Sequence, residues 1–325
     1  MYTTFYNLRE KPFEITPDPR FLYLSENHKE GLAHLVYAVK EKRGFTVITG
    51  EVGTGKTTLI QTLLSRLDGS TRTAYLFHPK LGPTDFLQYI CEDFGLKSSG
   101  RSKGQCLSLL QKFLMGCYAR NENVVLIIDE AQGLDPHLLE EVRLLTNLET
   151  AKNKLLQVIL VGQPELSRLL DQSQCRQLKQ RVSLRYHIKP LNKEEAKVYI
   201  KQRLKRAGAI DTNIFTPRAI ETIYRYTQGI PRSINIICDN ALLSGYGADQ
   251  KVIGHEIVRE VAKNLEGPGT QKERRRKRFL GMILFVILLL GVLGLLWRFG
   301  APEGAELELA RWVETIREAV GKVLR

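Results

Sequence analysis

Eight consecutive residues carry the types and spacing of a phosphate-binding loop, GxxxxGK[ST]. The loop is, in order, Gly50, Glu51, Val52, Gly53, Thr54, Gly55, Lys56 and Thr57, with Thr58 directly after it. Glycines let backbone N–H groups curl round phosphate oxygens, a lysine reaches the β and γ phosphates, and a Ser or Thr hydroxyl ligates magnesium. Lys56 and Thr57 are therefore the candidate phosphate and magnesium ligands of a bound nucleotide.

A second chemical motif lies 73 residues downstream, where the apolar run of residues 124–128 ends in Asp129 and Glu130. A fully buried parallel strand is continuously apolar, and ligands bind beyond the carboxyl ends of such strands. We expect Asp129 to hold the magnesium ion, directly or through water. Glu130 is the candidate to orient and deprotonate an attacking water molecule.

The elements that position these residues follow an alternating pattern. The phosphate-binding loop comes directly after a β-rich run, Phe45–Thr49, and further β-rich runs alternate with helical stretches such as 137–149. Those further runs are 73–77, 157–162 and 185–188. The alternation predicts an α/β fold, a parallel sheet covered by helices. We assign residues 1–190 to this nucleotide-binding core.

After Pro190 the sequence predicts helices only. The helix boundaries are marked by Thr216 followed by Pro217, by Gly229, by Pro231 and by the helical run 255–265. An all-helical domain is therefore predicted over residues 191–266.

The composition is that of a globular protein. Of 325 residues, 43% are hydrophobic and 26% are charged, which excludes a mainly disordered or fibrous chain. The five cysteines are an odd number with no CxxC pair, so neither a disulfide framework nor a zinc site is indicated. Buried, reduced thiols in a cytosolic setting are expected.

Part of the net charge of +13 is concentrated beside one apolar run. Residues 272–278 carry +5, which leaves +8 on residues 1–271, and residues 279–297 form 19 consecutive uncharged residues. At about 1.5 Å per residue this run spans about 29 Å, the thickness of a bilayer core. It is predicted to be a transmembrane helix, preceded by a basic juxtamembrane linker at 267–278. No cleavable N-terminal export signal is expected.

The basic run before the span predicts the topology by the positive-inside rule, with residues 1–278 cytoplasmic and residues 298–325 on the other side. The 28-residue tail has apolar residues at helical spacing, namely Leu309, Trp312, Ile316, Ala319 and Val323. This face either rests on the membrane surface or packs on a partner helix.

Further motifs make the sequence similar to a known family. They are MY, FYNL, KPF and PDPRFLYLS near the N-terminus, His28, then GEVGTGKTT, IIDEAQ, VGQPEL and GIPRSIN. Over roughly residues 1–265 the chain resembles the ExeA-type AAA+ ATPases of the general secretion pathway protein A family. The resemblance implies a P-loop AAA+ core followed by a helical lid, with ATP and Mg²⁺ as ligands and ATP hydrolysis as the activity.

The resemblance also assigns roles to residues outside the loop. Gln163 resembles the sensor-1 residue, and Arg232 resembles the sensor-2 arginine. Arg181 resembles an arginine finger, which acts in trans on a neighbouring subunit, although Arg176 and Arg185 are nearby competitors. For His28, a place beside the adenine and a purely structural role both stay open.

The resemblance implies a homo-oligomeric ring or arc at the bacterial inner membrane, single-pass, with the ATPase cytoplasmic and the C-terminus periplasmic. Its hydrolysis cycle would drive or regulate assembly of a cell-envelope secretion, pilus or polysaccharide-export apparatus, with a partner protein bound through the tail. A 28-residue tail cannot hold the peptidoglycan-binding domain typical of the family. The alternative is a DNA-binding AAA+ ATPase of the transposition-regulator type. The spread +8 charge supports this alternative only weakly, so nucleic acid is the less favoured partner.

Overall fold

Five parallel strands form a sheet in the order β2–β3–β4–β1–β5. The strands are β1 (Phe45–Gly50), β2 (Thr71–Leu76), β3 (Asn123–Ile128), β4 (Gln157–Gly162) and β5 (Leu184–Ile188). Thr49 of β1 pairs with Gly162 of β4, and Ile128 of β3 pairs with Leu160 of β4. The carboxyl ends of the three central strands therefore reach the same edge. The predicted parallel α/β sheet is confirmed.

This computed structural model describes residues 1–16, 18–77, 81–150 and 153–265. Residues 1–262 form one compact unit. The predicted transmembrane helix at 279–297, the basic linker and the tail lie outside the described residues. Among the residues that are described, no helix is both long enough and apolar enough to cross a bilayer.

Helices cover both faces of the sheet. They are α2 (Glu26–Lys40), α3 (Lys56–Leu64), α4 (Pro83–Asp93), α5 (Lys103–Ala119), α6 (Pro136–Leu145), α7 (Pro164–Leu170) and α8 (Arg176–Arg181). Successive side chains of a strand point to opposite faces of the sheet. Val47 packs in the apolar cluster with helices α4 to α8, and Ile48 packs in the cluster with α2 and α3. Burial on both faces explains why the central strands are continuously apolar.

Helix α6 is shorter than the predicted helix at 137–149, so the last part of that prediction was wrong. The helix starts at an N-cap, where the Asp135 side chain accepts a hydrogen bond from Leu138 N. It ends at Leu145, and Glu149 instead pairs with Lys154 in an isolated antiparallel bridge. Local strand pairing replaces the last turn of the predicted helix.

Helices alone follow β5 within the described residues. They are α9 (Lys193–Arg206), α10 (Pro217–Thr227), α11 (Pro231–Gly247) and a last helix at 255–265. The predicted N-cap of α10 is present, because the Thr216 hydroxyl accepts from Ala219 N. After α10 the chain turns through Gln228 and Gly229 with φ of 50° and 77°. A Cβ at Gly229 would lie 1.9 Å from Leu191 O, so only glycine fits there.

The N-terminal segment packs into the core of these helices, although we assigned it to the nucleotide-binding core. It includes a short helix, α1 (Tyr2–Phe5). The buried side chains Tyr2, Tyr6, Leu8, Phe13 and Phe21 belong to the same apolar cluster as residues of α9, α10 and α11. The segment has no apolar period that would indicate its partner, so the sequence did not reveal this packing.

Arg203 of α9 fastens this segment through carbonyl groups. Its Nε donates to Pro12 O at 2.5 Å and its Nη2 donates to Glu14 O at 3.3 Å. The guanidinium also lies 4.9 Å from the centre of the Phe21 ring, within cation–π range. The segment and α9 are therefore joined by both polar and apolar contacts.

The Phe13 side chain gives a direct test of this packing. Phe13 is 1% exposed and stacks edge-on against Phe215, whereas Ile15, two residues further on, is 54% exposed. We predict that Phe13→Ala lowers the free energy of unfolding by about 3–5 kcal/mol, because it opens a cavity in the helical core. Urea denaturation measures this loss. The matched variant Ile15→Ala should change it by less than about 0.5 kcal/mol, and equal losses would contradict the packing.

Candidate functional site

The loop between β1 and α3 has the backbone conformation that phosphate binding requires. Gly53 and Gly55 adopt φ of 81° and 93°, which side chains rarely tolerate. A Cβ at Gly50 would lie 2.9 Å from Ile188 O, so this position is also sterically limited to glycine. The loop ends at the N-terminus of α3, where backbone N–H groups and the helix dipole favour an anion.

Lys56 is held inside this loop. Its ammonium donates to Gly50 O at 2.9 Å and to Glu51 O at 3.0 Å, and the residue is 6% exposed. Burial lowers the pKa of Lys56, while the nearby Glu130 and Asp129 oppose that shift. Within the described residues its hydrogen bonds go to loop carbonyls, and a buried cation held in this way suits the charge of phosphate groups entering the loop.

Asp129 lies directly after β3 and faces the loop. Its Oδ2 accepts from the Thr57 hydroxyl at 2.9 Å and from the Tyr75 hydroxyl at 2.7 Å. Its Oδ1 accepts from Glu130 N at 2.8 Å. Carboxylate and hydroxyl oxygens are the donors that Mg²⁺ prefers, so Thr57 and Asp129 together fit this ion.

Tyr75 was not predicted as part of the site. Burial, followed by the hydrogen bond to Asp129, raises the pKa of the Tyr75 hydroxyl, which therefore stays a donor. The residue lies on β2, which pairs with β3 so that Tyr75 is opposite Ile127. The position of the Tyr75 hydroxyl beside Asp129 follows from the pairing of β2 with β3, which the sequence did not reveal.

Glu130 takes a left-handed backbone conformation, with φ of 50°. Its Oε2 accepts a hydrogen bond from Gln163 Nε2 at 3.2 Å and another from Gln132 Nε2. The structure thus brings Gln163, at the end of β4, into contact with Glu130. Gln132 was not predicted as a site residue, although it stands two positions after Glu130 in the sequence.

The loop opens into a cavity of about 650 Å³ between the sheet and the helices. The loop and Glu130 line one end. Most of the rest is lined by parts of the N-terminal segment, residues 14–16, 18 and 21–24, and by Tyr199, Arg203, Arg232 and Asn235. Arg232 N donates to Gly53 O at 3.3 Å, so the start of α11 touches the phosphate-binding loop.

The three candidate finger arginines lie elsewhere. None of them is among the described residues that line the cavity. Arg181 Nη1 donates to Thr146 O at 3.1 Å and borders a separate pocket with Glu149. Arg176 is exposed, and Arg185 lies 3.9 Å from Asp171 Oδ1.

His28 supports the loop from α2. Its Nε2 lies 2.7 Å from Thr54 O and its Nδ1 lies 2.7 Å from Ser25 Oγ. Because a carbonyl only accepts, Nε2 carries the proton and Nδ1 accepts from the serine hydroxyl. Burial lowers the pKa of His28, which keeps the ring neutral. The histidine therefore fixes the loop backbone.

A phosphate-binding loop after β1, an acidic pair after β3 and a glutamine after β4, on a parallel sheet of this order, define a P-loop ATPase. Residues 39–170 match the family model described as AAA domain. The chain is 44% identical over 268 residues to General secretion pathway protein A of Aeromonas hydrophila. The alignment covers 82% of this chain and 49% of that protein, so the chain spans about half of its length. The chain is an ExeA-type AAA ATPase, as the sequence resemblance indicated.

Solved structures share the fold. A chain of the Drosophila ORC bound to DNA has a TM-score of 0.64 at 17% identity, covering 98% of this chain and 84% of that chain. Cdc6p of Pyrobaculum aerophilum has a TM-score of 0.58 at 20% identity, covering 77% of this chain and 71% of that chain. Likeness at such identities shows the AAA fold alone.

The neutral state of His28 predicts a pH dependence of stability. Its pKa is lowered in the folded state, so unfolding takes up a proton as the pH falls below about 6.5, and stability is lost there. The limit is about 1.4 kcal/mol per pH unit. Urea unfolding at pH 7.5 and 5.5 should show a larger loss for the wild type than for His28→Gln. Equal losses would mean that His28 does not titrate as described.

Proposed function

We propose that the chain binds ATP with Mg²⁺ in the loop cavity and hydrolyses it with Glu130 as the general base. The observation that carries this proposal is the meeting of Lys56, Asp129 and Glu130 at one edge of the sheet. The hydrogen bond from Thr57 to Asp129 joins the two motifs. Lys56, Thr57 and Glu130 line the cavity, and Asp129 is joined to it through Thr57, which supports the proposal.

Each residue has a separate task in this proposal. Lys56 and the loop N–H groups hold the phosphates, while Thr57 and Asp129 would hold the metal. Bound Mg²⁺ supplies positive charge that neutralises the phosphate oxygens. Glu130 accepts the proton of the attacking water molecule at its second carboxylate oxygen, because Oε2 already accepts from two amides.

We further propose that the helices after β5 act as a lid, with Arg232 as its sensor arginine. A Cβ at Gly53 would lie 2.6 Å from Arg232 Cβ, so the loop and the lid are in close contact. A shift of the loop backbone on phosphate binding would therefore displace the start of α11. Gln163 would serve as the sensor-1 residue, since its amide reaches Glu130.

Replacing the proposed base separates binding from hydrolysis. We expect Glu130→Gln to keep nucleotide affinity within about threefold and to lower the turnover number at least about hundredfold, since an amide cannot accept the proton. Phosphate release and equilibrium binding of a fluorescent ATP analogue measure the two quantities. Glu165→Gln, an exposed carboxylate on α7, serves as the control and should leave both unchanged. Wild-type turnover by Glu130→Gln would reject Glu130 as the base.

The finger arginine is proposed to act between subunits of a ring or arc. Arg181 supports this proposal because its side chain is anchored to Thr146 and lies outside the cavity of its own chain. A guanidinium fixed in this way can stabilise the charge on the transferring phosphoryl group of a neighbour. Arg176 and Arg185 stay competitors for the same role.

Mixed assemblies test action in trans. Arg181→Ala and Glu130→Gln should each be inactive alone. Mixed subunits should regain a substantial fraction of the wild-type ATPase rate, because sites with an intact Glu130 then meet an intact Arg181. The rate is measured after light scattering has confirmed assembly. No recovery in confirmed mixed assemblies would remove Arg181 from this role, and Arg176→Ala and Arg185→Ala mixtures would be tested next.

At the level of the cell, we propose a membrane-anchored ATPase that serves assembly of a cell-envelope secretion, pilus or polysaccharide-export apparatus. The name of the Aeromonas relative, General secretion pathway protein A, supports the link to secretion. The charge-free run at 279–297 and the +5 segment before it support a single span in the bacterial inner membrane with a cytoplasmic ATPase and a periplasmic C-terminus. The amphipathic tail would then meet the partner protein.

A further inference from the structure

Gln132 makes two hydrogen bonds that join the ends of β3 and β4. Its Nε2 donates to Glu130 Oε2, and its Oε1 accepts from Gln163 N at 3.0 Å. Because Gln163 Nε2 donates to the same Glu130 oxygen at 3.2 Å, the three side chains form one connected unit. Both polar ends of the Gln132 amide are used.

The space for this side chain is provided by Gly162. A Cβ at Gly162 would lie 2.7 Å from Gln132 Oε1, closer than real contacts allow. Any larger residue at the end of β4 would displace the Gln132 amide. Glu130 is the N-cap residue of the short helix that carries Gln132, Ala131–Gly133, so the two residues are also linked through the backbone.

The side-chain amides of Gln132 and Gln163 both donate to Glu130 Oε2, but they differ in their other interactions. Gln163 can turn toward a γ phosphate only by giving up its bond to Glu130. Gln132 is tied by its oxygen to the Gln163 backbone, so its bond to Glu130 can persist. A neutral donor of this kind orients a carboxylate without taking part in proton transfer.

We propose that Gln132 is a positioning residue that holds the Glu130 carboxylate during hydrolysis, while Gln163 turns to the nucleotide. The proposal rests on the proposed function, in which Glu130 is the base. It assigns to Gln132 an effect on the chemical step and none on nucleotide binding, since its amide groups face Glu130 and the end of β4.

The test compares Gln132→Leu, which keeps the size of the side chain but removes both bonds, with Gln172→Leu at an exposed loop position. For the full chain we expect Gln132→Leu to lower the turnover number about tenfold or more, the loss typical of one hydrogen bond to a charged group. The KM for ATP and the affinity for a fluorescent ATP analogue should stay within about threefold of wild type. Gln172→Leu should match wild type throughout.

The split between turnover and binding supplies a readout that a purely structural role would not give. A residue that supports the whole site would lower nucleotide affinity together with turnover, whereas a residue that orients Glu130 lowers turnover alone. A loss of nucleotide affinity equal to the loss of turnover would overturn the proposal.

A second substitution distinguishes failure of this inference from failure of the proposed function. In a Glu130→Gln background, adding Gln132→Leu should change the residual rate by less than about threefold, because the base it positions is already absent. If Glu130→Gln turns over normally, the proposed function fails. If Glu130→Gln is inactive while Gln132→Leu matches wild type, only the role of Gln132 is rejected.

Discussion

The parallel pairing of β1, β3 and β4 is the constraint on which the site depends. Thr49 lies level with Gly162, and Ile128 lies level with Leu160 two residues earlier on β4. This register places the loop after β1, the acidic pair after β3 and Gln163 after β4 at one edge. A slip of one residue would turn each apolar side chain toward the wrong layer. The same burial that stabilises the sheet therefore fixes the geometry of the site.

The phosphate-binding loop is also held from outside the sheet. His28 contacts Thr54 O from α2, and Arg232 N contacts Gly53 O from α11. The N-terminal segment lines the same cavity and is fastened to α9 by Arg203. A loop that contacts both α2 and α11 can transmit the state of its ligand to these helices.

The sequence predicted most of the parallel sheet and the two central motifs, because their residues are contiguous and their chemistry demands fixed types. It did not indicate Tyr75 or Gln132, whose importance arises from contacts between different strand ends. Gln132 follows Glu130 closely, so asking which polar groups come after each strand would have found it. The packing of the N-terminal segment depends on contacts between residues about 200 positions apart, such as Phe13 with Phe215. No local sequence pattern encodes such pairs. The predicted C-terminal end of α6 was wrong for a similar reason, because Glu149 pairs with Lys154 instead of extending the helix.

A crystal structure of Glu130→Gln with ATP and Mg²⁺ tests the proposed nucleotide site most directly. We expect Lys56 Nζ to leave the carbonyl groups of Gly50 and Glu51 for phosphate oxygens. We also expect a metal ion bound by the Thr57 hydroxyl and, directly or through water, by the Asp129 carboxylate. Phosphates bound away from the loop, or a Lys56 that keeps both carbonyl partners while phosphate is bound, would contradict the proposed site.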